Sequence, residues 1–138
     1  MIVDIHAHFW DYEKHASDAF KEEAKRATKG KGNFETKADE FLRIMQSCDK
    51  VVVFGGKALH VGLNVPNEYI AEFCKRDPKK LVPWMALDPN EPGMMDEFER
   101  CLHKFKMRGI KLLPMYANFD PRDERLNPLY EAAVKYNL

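Results

Sequence analysis

Cysteine is scarce in this chain. Cys48, Cys74 and Cys101 are widely separated, and no Cys-x-x-Cys pair occurs. That pattern excludes a zinc knuckle and a disulfide framework. Each cysteine falls within an apolar helical pattern, where it packs as a small hydrophobe. An excess of one charge is lacking too. Lys plus Arg number 22 and Asp plus Glu number 22, so no net field draws the chain to nucleic acid or to an anionic membrane. The most basic stretch, 21–31, is interleaved with Glu22 and Glu23 and reads as a solvated helix. No apolar run is long enough to span a bilayer, and no charged-then-apolar leader precedes the first strand. These absences predict a soluble cytoplasmic protein whose partner is a small-molecule substrate, not nucleic acid or membrane.

What is there starts at residue 1. Met1-Ile2-Val3-Asp4-Ile5-His6-Ala7-His8 reads as a buried strand with two histidines at its tip. Alternate side chains of a strand face opposite ways, so Asp4, His6 and His8 are expected on one face and Val3, Ile5 and Ala7 on the other. At roughly 3.3 Å per residue the two imidazoles sit about 6–7 Å apart along the chain, close enough to share one metal ion. The apolar face is expected to pack on helices, while the other delivers ligands to a central site. Paired histidines of this kind also occur as hydrogen-bonded core residues, and that plainer role is the alternative.

The rest of the chain supports the strand reading. The interval 9–35 reads as a lid-like insertion lying over the carboxyl end of the strands, with a charged helix from Ala16 to Thr28 and a Gly30–Asn33 loop. Phe9, Trp10, Tyr12 and His15 in it are placed either to touch a substrate or to pack the lid down. An amphipathic helix follows from Thr36, its N-cap, to Asp49, with Phe41, Leu42, Ile44, Met45 and Cys48 inward. Lys50–Gly56 is a β-branched run ended by glycines, as in parallel strands buried on both faces. His60 falls in the loop beyond it, on the same rim as His8, and is a candidate substrate contact. Pro66-Asn67 opens a helix that stops at Asp77-Pro78. Leu81–Leu87 is a third strand, with Pro83 awkward inside it. After a proline-rich loop comes a helix burying Met95, Phe98, Cys101, Leu102 and Phe105, with His103 outside. Gly109–Pro114 is a fourth strand, and Asn127-Pro128 starts the last helix.

Four strand–helix units beginning near residues 2, 50, 81 and 109 predict a parallel α/β fold. A complete eight-unit barrel takes about 250 residues. The 138 residues are therefore expected to form one domain, the amino-terminal half of a TIM-type (β/α)8 barrel that stops before a fifth strand. A half-barrel has two bare sheet edges, so either a homo-oligomer or a complementary half-barrel is expected as its partner.

The ordered set Asp4-Ile5-His6-Ala7-His8, Pro66–Phe73 with Asp77-Pro78, Leu81–Pro89 and Gly109–Pro114 resembles the metal-dependent amidohydrolase superfamily. The resemblance is to its amidohydrolase-related branch, which includes aminocarboxymuconate-semialdehyde and γ-resorcylate decarboxylases as well as lactone and amide hydrolases. It implies that His6 and His8 are the first two ligands of a divalent metal, zinc, with manganese or iron as alternatives. Further ligands and the general base would come from later strands. In hydrolytic members a metal-activated water attacks an ester or amide, and in decarboxylating members the metal site orients the substrate. Lys111, if it points into the barrel, is placed to bind a substrate carboxylate, with a carbamate bridging two metals as the alternative; Trp10 and His60 are the other substrate candidates. Asp4 is expected to orient a histidine rather than bind metal. Three functions stay open: a hydrolase, a non-oxidative decarboxylase of a small carboxylic acid, and a catalytically silent half-barrel.

Overall fold

The structure is a computed structural model describing residues 1–32, 34–35 and 37–138. In chain order it contains β1 (Val3–His8), α1 (Tyr12–His15), α2 (Asp18–Ala27), α3 (Ala38–Ile44), β2 (Lys50–Phe54), β3 (Lys57–Ala58) and β4 (Leu63–Asn64). Then follow α4 (Asn67–Cys74), β5 (Leu81–Pro83), β6 (Met85–Ala86), α5 (Met94–His103), β7 (Ile110–Lys111), α6 (Pro114–Ala117) and α7 (Asn127–Tyr136). β1, β2 and β5 form a parallel sheet in that order. β6 pairs in parallel with β7.

β2 is the centre of the sheet because its composition suits burial on both faces. Val51, Val53 and Phe54 have at most 1% of their surface exposed. Each such side chain is worth about 1.5–3 kcal/mol of burial. Val51 and Val53 share their face with Ala7 and Leu81, against Ile70 and Phe73 of α4 and Phe41 of α3. Phe9, the first residue after β1, stacks on Phe73 with ring centroids 3.6 Å apart and meets Phe41 edge-on. The chain just past His8 is thereby fixed in the core.

Several expected boundaries move, each for a local reason. The third strand is broken at Trp84. Pro83 pairs with Val53 as the last residue of its ladder, and Trp84 donates its own N–H to the Val53 carbonyl. Beyond it the chain changes partner to β7, so Pro83's missing donor falls at the switch and not inside a ladder. The fourth strand is only Ile110–Lys111, because Pro114 opens the short helix α6 instead of ending a strand. The helix expected over 36–49 begins at Ala38 and tightens into a 3-10 turn at Met45–Ser47. Ile44 on it is exposed. The cap expected at Thr36 and the loop residue Asn33 lie outside the described residues. The charged helix expected over 16–28 is α2, capped by Ser17, whose side chain accepts from Phe20 N–H. The loop after β2 carries an unanticipated antiparallel hairpin, β3–β4, to which Ala16 adds a bridge at Leu63.

β1 departs most from simple alternation. Its ladder with β2 pairs Asp4 with Val51 but Ala7 with Val53, so one extra β1 residue lies between them. Such a bulge reverses the parity of everything upstream. Asp4 is thereby set on the face of Val51 and Ala7, not on the face of His8. The apolar face of β1 is covered by helices only at Ala7; Val3 and Ile5 are 43% and 69% exposed. No helix among the described residues is long and apolar enough to cross a membrane.

Candidate metal centre

His6 and His8 follow the bulge, where alternation holds again, and their rings come together. The centroids are 5.3 Å apart. Both lie on Phe54, at 5.3 Å and 4.8 Å, which the ladder sets beside His8 at the carboxyl end of β2. Lys111 reaches the same spot from β7. Its Nζ lies 3.4 Å from His6 Nε2 and 4.8 Å from the Phe54 ring centre. Trp10 closes the other side, 5.0 Å from His8. It is held there by its indole N–H, which donates to the Phe34 carbonyl at 2.5 Å.

The electrostatics favour neutral imidazole. Burial is the main reason that His8 falls from 6.5 to about 4, and Lys111 and His6 add to it through their charge. His8 Nδ1 sits 3.1 Å from the Gly55 carbonyl. A carbonyl only accepts, so Nδ1 carries the proton and Nε2 keeps its lone pair. Gly55 is glycine for a reason: a Cβ there would stand 2.5 Å from the Val65 side chain. Burial also lowers the Lys111 ammonium. No carboxylate pairs with Lys111 among the described residues.

Two neutral imidazoles, one with its tautomer set by a backbone carbonyl, fit as part of the ligand set of a divalent metal. They are not a whole set. Among the described residues no group of three His, Cys, Asp or Glu could hold an ion.

The other sequence candidates fall differently. Asp4 accepts from the main-chain N–H of His6 at 2.8 Å and from no imidazole. Its carboxylate supports the bulge, and the histidine-orienting partner expected of it is the Gly55 carbonyl. His60 is exposed and lines a separate groove of about 800 Å³ with Phe20, Ala24, Phe34, Val61 and Tyr116. Of the insertion's aromatic residues only Trp10 joins the histidines. Phe9 is core, and Tyr12 stacks on Phe34. His15 accepts from Asp11 N–H and lies edge-on to Tyr69. His103 is at the surface, paired with Glu99.

Phe54 and Gly55 were missed in the sequence. The signal was present: a strand ending in Phe-Gly-Gly marks a bulky side chain at the tip and a close approach just beyond it.

Comparison with known proteins agrees with this architecture. The amidohydrolase family model matches residues 3–138. No curated protein matches the sequence. An uncharacterised TIM-barrel protein from Bordetella bronchiseptica superposes with a TM-score of 0.73 at 18% identity, over 97% of this chain and 52% of that one. The 5-carboxyvanillate decarboxylase of Novosphingobium aromaticivorans, with bound manganese and 3-methoxy-4-hydroxy-5-nitrobenzoic acid, superposes with a TM-score of 0.64 at 16% identity, over 99% of this chain and 49% of that one. At these identities the two neighbours show the fold: α/β, with parallel strands, spanning about half the length of each barrel protein. With the strand order, the paired rings and a family match over nearly its whole length, this chain belongs to the amidohydrolase family.

Proposed function

We propose that this chain carries the first-strand ligands of a metal-dependent active site that hydrolyses an ester, lactone or amide bond. One observation carries the reading: two imidazoles meet at the carboxyl end of β1, with His8 Nε2 left free by the bond of Nδ1 to Gly55. Zinc, manganese or iron held there would lower the pKa of a bound water toward about 7 and polarise a carbonyl. The chain's own residues do the remaining work. Burial keeps His8 unprotonated at neutral pH, so no proton competes for its lone pair. Lys111 takes an anionic or carbonyl oxygen of the substrate and in doing so leaves His6 Nε2. Trp10 and Phe54 wall the site with aromatic surface that excludes water and suits a flat substrate. The segment 9–35, tied to the site through Trp10, serves as its lid.

Decarboxylation of a small carboxylic acid is the second reading. The unpaired cation of Lys111 supports it, because an ammionium beside the histidines suits a substrate carboxylate. A decarboxylase among the structural neighbours points the same way.

The test is to load the protein, in its full natural length, with zinc or manganese and assay two panels. One holds lactones, aryl esters and amides; the other holds aromatic and aliphatic carboxylic acids, followed by carbon dioxide release. Hydrolysis that disappears in His6→Ala and His8→Ala is the expected result. Carbon dioxide release without hydrolysis selects the second reading. Activity unchanged by both histidine substitutions, or no divalent ion retained, overturns both.

A further inference from the structure

β1 is hydrogen-bonded along one edge only, to β2, and β7 along one edge only, to β6. Beside the free edge of β1, Ile2, Val3 and Ile5 are 59%, 43% and 69% exposed. Beside β7 lies an apolar groove of about 370 Å³ lined by Trp84, Ile110, Leu112, Leu129 and Tyr130. Val134 of α7 is 82% exposed. One edge thus offers projecting aliphatic side chains, and the other offers an apolar slot. Parallel sheets are stable when both faces are covered, and a closed barrel has no free edge at all.

We propose that a second copy of this chain covers both edges. β1 of each copy pairs with β7 of the other around a two-fold axis running along the barrel. The strand positions in one copy are β1, β2, the broken line β5–β6, and β7; two copies make the eight of a TIM barrel. The chain spans about half of each barrel protein it superposes on, which is the fraction two equal copies require. The two seams are then the same contact, and it closes after two copies instead of running on into a fibre. The projecting Ile5 of one copy seats in the slot beside β7 of the other.

Two-fold closure sets the two β1 strands on opposite walls of one interior. This part rests on the reading of His6 and His8 as metal ligands. One chain offers two imidazoles and no set of three among its described residues. Two copies offer four neutral nitrogen donors, the number a tetrahedral ion takes. The site is completed by the partner copy, at one ion per two chains.

Sedimentation velocity on the 138-residue chain without metal is expected to give twice the 16.1 kDa of one copy. Ile5→Lys adds a charge at a position exposed within one chain, so it should leave the helical circular dichroism unchanged while converting the dimer to monomer. His6→Ala should remain dimeric. Native mass spectrometry in zinc should find one ion per dimer, lost in His6→Ala. A stable monomer, an open-ended polymer, a dimer indifferent to Ile5→Lys, or a longer natural chain that closes its own barrel as a monomer overturns the assembly. One ion per chain overturns the shared site. A dimer that takes up no ion strikes the metal reading while the assembly stands.

Discussion

Asn67 is the most informative position to perturb outside the histidine pair. It is fully buried at the first turn of α4 and makes three side-chain hydrogen bonds. Its Oδ1 accepts from Ala86 N–H at 2.8 Å, and its Nδ2 donates to the Ala86 carbonyl at 3.0 Å and to Glu97 at 2.7 Å. The amide therefore acts as a short strand beside β6, whose other edge aligns Ala86 with Lys111. Asn67→Ala leaves the N–H and C=O of a buried residue unpaired. At about 1–3 kcal/mol for each unsatisfied group, the cost is about 2–6 kcal/mol, a large part of the 5–15 kcal/mol that about any domain of this size possesses. Helix propensity is no competing explanation, since alanine is the best helix former. Asn67→Asp separates the terms further. It keeps the acceptor for Ala86 N–H but turns a carboxylate toward Glu97. Burial pushes the Glu97 carboxyl up, yet its bonds from Arg100 and Asn67 hold it below the usual range. In the wild type that preference is stability present at neutral pH and lost as pH falls through the lowered pKa. In Asn67→Asp one carboxyl of the facing pair is raised instead, so its deficit relative to wild type must shrink as pH falls from 7 toward 5, about where a raised carboxyl takes up its proton. Urea unfolding followed by far-UV circular dichroism at several pH values measures both effects. A loss below about 1 kcal/mol in Asn67→Ala, or a deficit in Asn67→Asp that ignores pH, would refute the bridging role.

Lys111→Met should raise the stability of the metal-free protein by about 1 kcal/mol, because an unpaired, partly desolvated ammonium becomes an apolar side chain; a lower melting temperature would mean that Lys111 has a partner in the fold. Burial pushes the Cys74 and Cys101 thiols up to about 12. At pH 8 only about one in ten thousand of each is thiolate, so a thiol-specific reagent should titrate Cys48 alone in the native state and all three cysteines in denaturant. Gly109→Ala places a Cβ 2.1 Å from the Trp84 ring. A loss of about 1–3 kcal/mol with a shifted tryptophan emission is expected, and unchanged emission would show that the ring is not seated there.

Most of the architecture was legible because it rests on local pattern. The run Val51-Val52-Val53-Phe54 could only be a buried strand, and α4 and α5 bury the apolar residues their spacing marks, Ile70, Phe73, Phe98 and Leu102 among them. The ends were less legible. Pro83 marks an irregularity, but nothing in the sequence says that the strand changes neighbours there, from Val53 on one side to Gly109 and Ile110 on the other. The hairpin at 57–64 has two-residue strands, too short for any alternation to be read. Asn67 looked like a helix-start residue. Its actual partners lie 19 and 30 positions away, beyond the reach of any local rule.

The candidate site divides along the same line. His6 and His8 are two residues apart with no irregularity between them, so alternation alone brings their rings together. Asp4 is also two residues from His6, but the extra residue between Asp4 and Ala7 separates them in register. An inference from alternation holds only as far as the ladder is regular, and the extra main-chain N–H at the bulge must find an acceptor. A short acidic side chain just before it supplies one, and Asp4 does so for His6. The aspartate of the Asp-x-His-x-His run is thus explained by the backbone it holds. Replacing it by asparagine keeps that acceptor and should leave the histidine geometry and metal uptake unchanged, whereas alanine should loosen the bulge and weaken both. Equal metal affinity in Asp4→Asn and Asp4→Ala would remove this account; a loss confined to the charge change would return Asp4 to the metal site.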